Sequence, residues 1–277
     1  MAAPYFSAHI GYLFRELDFE RRFAAAAEAG FRAIEHPFVE EHDALVVRRI
    51  LAENGLRFSQ IACAFGQAKL WEKGLAALPG REWDFRDNFD QCLDFALAID
   101  CPLIHPMAGV PTGASPDAVK DTYLRNIDYA VEKTMRLPIK ILIEPISHHA
   151  VPGYALNSMA QAASVQDIFG PGNLSLLVDT FHAAADGFDL PPWIRQNSYR
   201  IGHVHVADHG GRKEPGTGCI DFEPILNTLV EEGYDAAIGF EYDPSRTTLE
   251  SLDFLPVWKQ WLISEADAVG STTTAGV

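Results

Sequence analysis

Basic residues are scarce in this sequence. Its 22 lysines and arginines stand against 38 aspartates and glutamates, which gives a formal net charge of −16 at pH 7. A surface this negative repels phosphate backbones and anionic headgroups, so we expect neither nucleic acid nor a membrane as a partner. No apolar run reaches the roughly 18 residues that a membrane-spanning helix requires.

Cysteines are few, and none has the spacing of a metal site. The chain has four, and no two of them form a C-x-x-C pair. Cys63 and Cys92 lie in apolar stretches and are interpreted as small buried side chains. The N-terminus lacks a basic segment ahead of an apolar one, so we expect no signal peptide. Reduced thiols and a cytoplasmic location are the simplest interpretation.

Nucleotide-binding motifs are missing as well. No G-x-G-x-x-G follows the first predicted strand, and no G-x-x-x-x-G-K-[ST] occurs, so neither a dinucleotide-binding fold nor a P-loop is supported. Hydrophobic residues make up 48% of the chain, which is enough for a large core. The 17 phenylalanines are compatible with a homo-oligomer, although nothing in the sequence localises an interface.

Strand-like and helix-like segments alternate along the whole chain. Eight such units in this length favour a closed (β/α)8 TIM barrel of the α/β class, in a single domain over residues 1–264. The small, polar segment 265–277 is predicted to be a flexible tail. The strands are predicted at 6–10, 31–36, 57–63, 102–107, 139–145, 174–180, 200–207 and 236–242, and the last helix at 246–263.

Four acidic or imidazole side chains close apolar strands in the second half of the chain. They are separated by about the length of one strand–helix unit, and burying an unpaired carboxylate is costly. Because strand ends meet at the mouth of a barrel, this spacing predicts one divalent metal site. Three carboxylates and one imidazole suit Mg2+, Mn2+ or Co2+, with Zn2+ also compatible. The predicted ligands are Glu144, Asp179, His205 and Glu241.

Glu144 and Glu241 are also the candidate catalytic residues. The strands that they close are three apart around a barrel, so the two carboxylates face each other across its mouth. There they would abstract and return a proton at a carbon next to a carbonyl. The metal would lower the energy of the enediolate that forms.

Three further residues are candidates for substrate binding. His182 lies three residues after Asp179 and is placed to hydrogen-bond a substrate oxygen. In the loop after the seventh strand, Arg212 is suited to clamp a carboxylate, and Glu214 belongs to the same candidate group. An ion pair between Arg212 and Glu214 is the alternative. His203, deeper in its strand than His205, is interpreted as a core histidine.

At these positions the chain resembles the hydroxypyruvate isomerase family of the xylose isomerase-like TIM barrels. The resemblance implies a metal-dependent isomerase that acts through an enediolate, with the ligands, acid/base pair and substrate contacts named above. The D-tagatose 3-epimerases are relatives that share this metal site. The matching segments are LAALPGRE (75–82), IEP (143–145), PGYALN (152–157), VDTFHA (178–183), IGHVHVADHGGRKEPGTGCIDF (201–222) and IGFEYDP (238–244).

The substrate stays open between alternatives. One is a small hydroxy-carbonyl acid such as hydroxypyruvate or a 2-oxo-tetronate, isomerised between its aldose and ketose forms. Another is a free ketose, as for a D-tagatose or D-psicose 3-epimerase, because Ile146–His149 replaces the Asn-x-Arg pattern expected of an acid binder. A multi-metal phosphodiesterase like endonuclease IV conflicts with the negative charge, and a non-catalytic binding barrel conflicts with the intact ligand set.

Overall fold

Parallel strands form the inner wall of the molecule, and helices cover the outside. The computed structural model describes residues 3–262. All paired strands are parallel, in the order β3-β2-β1-β9-β8-β7-β6-β5-β4. The strands are β1 (Tyr5–His9), β2 (Ala33–Glu35), β3 (Arg57–Phe58), β4 (Ile61–Cys63), β5 (Leu103–Pro106), β6 (Lys140–Ile143), β7 (Leu174–Asp179), β8 (Ile201–Val206) and β9 (Ala237–Phe240).

The wall closes through a strand that changes partner. β3 pairs with β2, whereas β4 pairs with β5, and only Ser59 and Gln60 separate the two. The single predicted strand at 57–63 is therefore two short strands in line, and the sheet has eight positions around its ring. Ser59 Oγ lies 2.7 Å from Ser7 Oγ on β1. The prediction of a single-domain (β/α)8 barrel is confirmed.

The helices follow the strands along the chain. Side-chain caps explain several starts: Asp43 accepts from Leu45 N, and Ser115 accepts from Ala118 N with a proline at the next position. The helices are α1 (Phe19–Glu28), α2 (Ala44–Glu53), α3 (Glu82–Ala98), α4 (Pro116–Thr134), α5 (Met159–Phe169), α6 (Thr180–Ala185), α7 (Leu190–Asn197), α8 (Phe222–Glu231) and α9 (Thr248–Ser251).

Two local differences from the predicted pattern concern helices. The last predicted helix, 246–263, is divided into α9 and a helical segment at 255–262, because a turn at 252–254 follows α9. Helix α6 has no counterpart in the prediction; it begins directly at the end of β7, where Asp179 caps it. The predicted tail, 265–277, lies outside the described residues.

The strands are buried on both faces, as predicted for a parallel sheet covered by helices. Every residue of β7 is buried. Cys63 and Cys92 are buried, which confirms their interpretation as small core side chains. Within residues 3–262, no helix is long and apolar enough to cross a membrane.

Directly after β2, His36 is expected to make the stability of the fold depend on pH. Burial, helped by His9, lowers its pKa from 6.5 to about 3, although its Nδ1 bonds Pro37 O at 2.7 Å. The unfolded chain protonates His36 more readily than the folded protein does. The contribution of neutral His36 to the free energy of unfolding is therefore fully present above pH ~6.5 and decreases as the pH falls towards 3. We expect His36 to remove at most about 2 kcal/mol at pH 5. Urea unfolding of His36→Asn at pH 5 and 8 should show a smaller difference than the parent; an equal difference would contradict this.

Candidate metal and active site

The four predicted metal ligands meet at one end of the barrel. Asp179 ends β7, His205 lies in β8, and Glu144 and Glu241 directly follow β6 and β9. Each of the four offers an atom, and these atoms all lie within 4.8 Å of one another. Parallel strands bring their carboxyl ends to the same rim, which is why residues so far apart in sequence converge.

Two atoms of this cluster are buried without a hydrogen-bond partner among the described residues. They are Glu144 Oε1 and His205 Nδ1. His205 Nδ1 lies 3.2 Å from Glu241 Oε2, but the two groups do not have the geometry of a hydrogen bond. A buried polar atom that is left unpaired costs roughly 1–3 kcal/mol, so such atoms indicate a missing partner. A divalent cation is the partner that three carboxylates and an imidazole can share, and the donor set therefore fits one.

Arg212 compensates two of the carboxylates. Its guanidinium donates to Asp179 Oδ2 at 3.2 Å and also to Glu241 Oε2. It packs over the rings of Tyr12 and Phe181, at 5.4 and 5.3 Å from their centroids. Burial alone would lower the pKa of Arg212, but Glu241 and Asp179 raise it. The predicted alternative, an ion pair with Glu214, is not observed.

The two candidate catalytic glutamates have opposite acidities. Burial raises the pKa of Glu144 well above its usual range, and the nearby charges of Glu241 and Asp179 raise it further. Burial would also raise the pKa of Glu241, but Arg212 and His205 hold it well below its usual range. Two carboxyl groups in one site whose pKa values are shifted in opposite directions are an arrangement suited to general acid–base catalysis.

A cavity of about 220 Å3 opens onto this cluster. His182 lines it, with Nε2 3.8 Å from Asp179 Oδ2 and 3.9 Å from Glu144 Oε1. Burial lowers the pKa of His182, which keeps the ring neutral and able to donate one hydrogen bond. A larger cavity, about 500 Å3, lies at the opposite end of the barrel but contains none of the predicted ligands. Because predicted ligands line only the smaller cavity, it is the candidate active site.

Glu214 is the one predicted site residue that lies neither in the four-residue cluster nor in the lining of the cavity. Its carboxylate accepts hydrogen bonds from the backbone N and the hydroxyl of Ser245. These bonds tie the loop after β8 to the segment after β9. Arg212 belongs to the same loop, which these two hydrogen bonds hold against the segment after β9.

From its place at the end of β2, Glu35 is also expected at the barrel mouth, but the sequence assigns it no role there. Glu35 is completely buried, and its Oε2 lies 3.1 Å from His205 Nε2, 2.8 Å from His203 Nε2 and 2.8 Å from Gln60 Nε2. It thus holds His205 from the side opposite to Glu241. His203 is buried, as predicted. A glutamate closing strand β2 was the available signal, but its partners are 168 and 170 residues away in sequence.

Other cavity residues were also assigned no role from the sequence. His9 Nε2 lies 3.5 Å from Glu241 Oε1, and His105 Nδ1 lies 3.9 Å from Glu144 Oε2. Burial lowers the pKa of both histidines, that of His105 to about 3. Tyr12, Gln60, Lys73 and Tyr154 also contribute to the polar lining.

Fold and site together define a barrel with a carboxylate–histidine cluster at its mouth, and comparison with known proteins identifies the family. Residues 23–257 match the model of the xylose isomerase-like TIM barrel family, and the chain belongs to it. Within that family, the chain belongs with the hydroxypyruvate isomerases, a group of isomerases, as the resemblance implied.

Individual relatives cover nearly the whole chain. Hydroxypyruvate isomerase of Escherichia coli K12 is 33% identical over 255 residues, covering 92% of this chain and 99% of the relative. The 2-oxo-tetronate isomerase of Pectobacterium atrosepticum is 36% identical over 256 residues, covering 92% and 98%. The crystal structure of an AP endonuclease, family 2, from Brucella melitensis is 33% identical with a TM-score of 0.87, covering 91% and 98%.

Proposed function

We propose that this protein isomerises a small hydroxy-carbonyl acid, such as hydroxypyruvate or a 2-oxo-tetronate, with the help of a divalent metal ion. The observation that carries the proposal is the convergence of Glu144, Asp179, His205 and Glu241 within 4.8 Å beside a small cavity. The names of the relatives support the substrate class. Mg2+, Mn2+ and Co2+ suit the oxygen-rich ligand set.

The reaction moves one hydrogen between neighbouring carbons without net oxidation. When bound, the metal ion supplies a Lewis acid that polarises the substrate carbonyl and stabilises the enediolate. Ionised Glu241 takes the proton from the hydroxyl-bearing carbon, and its C–H electron pair enters the enediolate. Glu144 delivers a proton to the former carbonyl carbon, and proton exchange with solvent then restores the starting states of both glutamates. The hydroxyl proton passes from the first oxygen to the second, and His182 and Arg212 hold these oxygens.

The test is exchange and turnover in D2O, followed by NMR. Protein stripped with chelator is reloaded with Mg2+, Mn2+, Co2+ or Zn2+ and given hydroxypyruvate, a 2-oxo-tetronate, D-tagatose and D-psicose. We expect deuterium uptake and isomerisation of the acids in the metal-loaded samples. Absence of both with every metal, in folded protein, would overturn the proposal.

Epimerisation of a free ketose is the second candidate, and one observation favours it. After Glu144, the chain presents Ile146 to the cavity, while His148 and His149 are exposed on its outside. That segment therefore supplies no cation for a substrate carboxylate. Turnover confined to the two ketoses in the same assay would select this candidate.

Glu35 offers a test of how His205 is held. Carboxylates behind a metal-binding histidine fix its ring and commonly change metal affinity 10- to 100-fold. We expect Glu35→Gln to weaken Mn2+ binding about tenfold. The glutamine amide has only one acceptor oxygen and no charge, so it holds the rings of His203 and His205 less firmly than the carboxylate does. Calorimetric titration of Mn2+ measures this. Glu53→Gln, which makes the same change at an exposed carboxylate of α2 away from the cavity, is the control; unchanged affinity in folded Glu35→Gln would contradict the role.

A further inference from the structure

An anionic substrate meets an electrostatic difficulty at this cavity. Three carboxylates, those of Glu144, Asp179 and Glu241, stand at its base, and the whole chain carries a charge of −16. Among the described lysines and arginines, only Arg212 and Lys73 line the cavity. Arg212 already donates to Asp179 and Glu241. Lys73 is therefore the cation whose charge is uncommitted.

The surroundings of Lys73 leave its ammonium group available. Within residues 3–262 it has no carboxylate within ion-pair distance; instead, Nζ lies 4.0 Å from the centroid of the Trp71 ring. An ammonium group has three donors, and a ring face satisfies it only from one side. The side chain is exposed, at the rim rather than the base of the cavity.

The backbone around Lys73 is fastened to the barrel on both sides. Before it, buried Glu72 accepts from Gln67 N at 2.6 Å and pairs with Arg81. After it, Gly74 packs against the segment following β5 so closely that a Cβ would lie 2.4 Å from Gly109 N. Leu75 N also donates to Met107 O, a residue of the cavity wall. Lys73 therefore lies in a loop whose backbone is held in place on both sides of it.

Lys73 also adopts a backbone conformation that costs free energy. Its φ is 56°, in the left-handed region, as is that of Trp71 at 57°. A residue other than glycine costs about 1 kcal/mol or more there, and such strain persists where the surrounding structure enforces it. The conformation directs the Lys73 side chain to the cavity rim.

We propose that Lys73 binds the carboxylate of the substrate and so selects acids over neutral sugars. This rests on the proposed function: the reacting carbons lie over the metal ligands, while the carboxylate, which is bonded to one of them, points towards the rim. Lys73 would supply the charge complement that the Ile146–His149 segment lacks. The site would then favour short 2-oxo acids bearing a neighbouring hydroxyl.

The test compares matched pairs of ligands and of variants. The ligands are hydroxypyruvate against dihydroxyacetone for turnover, and D-glycerate, which cannot isomerise, against glycerol for calorimetric binding. The variants are Lys73→Met, Lys73→Arg and, as control, Lys69→Met, which removes the same charge from the same loop away from the cavity. All are assayed with saturating Mn2+ and checked for folding by circular dichroism.

We expect Lys73→Met to raise KM for hydroxypyruvate and Kd for D-glycerate about tenfold, as for one partly exposed charged hydrogen bond. KM for dihydroxyacetone and Kd for glycerol should not change. Lys73→Arg should retain much of the affinity for the acids that Lys73→Met loses. Equal changes in Lys69→Met and Lys73→Met would overturn the proposal, because they would indicate only net charge. If the parent turns over hydroxypyruvate and Lys73→Met matches it, this inference fails while the proposed function stands. Turnover of neutral compounds alone would overturn both.

Discussion

Glu144→Gln and Glu241→Gln should each lower kcat by about 10³-fold or more, because each removes one partner of the proton transfer. Their effects on stability should differ in sign. Glu144 is a desolvated carboxyl next to two other acids, so an amide of the same shape should raise Tm slightly in chelator. Glu241 is paired with Arg212 and His205, and its loss leaves buried positive charge unpaired at a cost of about 2 kcal/mol.

Rates with hydroxypyruvate and thermal unfolding in chelator measure the two effects separately. Asp243→Asn is a suitable control, since Asp243 is an exposed acid two residues beyond Glu241 that pairs with Lys213 instead. Near-normal kcat in either glutamine variant would refute the two-glutamate mechanism. Stability shifts of the same sign would contradict the opposite acidities of the pair.

Removal of divalent metal should abolish turnover, and its return should restore activity and raise Tm. At a metal concentration 100 times Kd, binding stabilises the folded state by about 2.7 kcal/mol. For a domain of this size that corresponds to a rise in Tm of roughly 5–10 °C. Asp179→Asn should lose most of this rise, because it weakens the ligand set.

Scanning calorimetry with and without Mg2+, Mn2+ or Co2+ gives the shift, and elemental analysis gives the residual metal. Ca2+ is an informative comparison, since its larger radius and higher coordination number suit the cluster less well. Full activity in protein whose metal content is far below one equivalent would rule out the metal-dependent reaction. An undiminished Tm rise in Asp179→Asn would place the ion elsewhere.

The fold and the four-residue cluster were accessible from the sequence because they depend on local and periodic information. Apolar strands of regular spacing predict the barrel, and a charged residue at each strand end predicts convergence at its rim. The strand boundaries required only small adjustment. Helix α6 was missed because its start is defined by Asp179, a residue interpreted as a ligand and not as a helix cap.

What the sequence could not show is which side chains meet across the barrel. Arg212 and Glu214 are two residues apart, yet one reaches the cavity and the other bonds Ser245. The partners of Arg212, Asp179 and Glu241, are 33 and 29 residues away. Lys73 lies in a connection without regular periodicity, and its direction depends on left-handed backbone angles that no apolar pattern encodes.

The residues between β3 and β4 link the closure of the sheet to the candidate metal site. Gln60, in the gap between these strands, donates to Glu35, and Glu35 in turn lies against His205. Gln60, which lies where the sheet closes, therefore helps to position the metal ligand His205 through Glu35. Disruption of the structure between β3 and β4 would also leave the side chain of His205 less firmly held. We therefore expect a substitution at Gln60 to weaken the site through Glu35 and His205, so that closure of the barrel and the position of a metal ligand depend on the same residues.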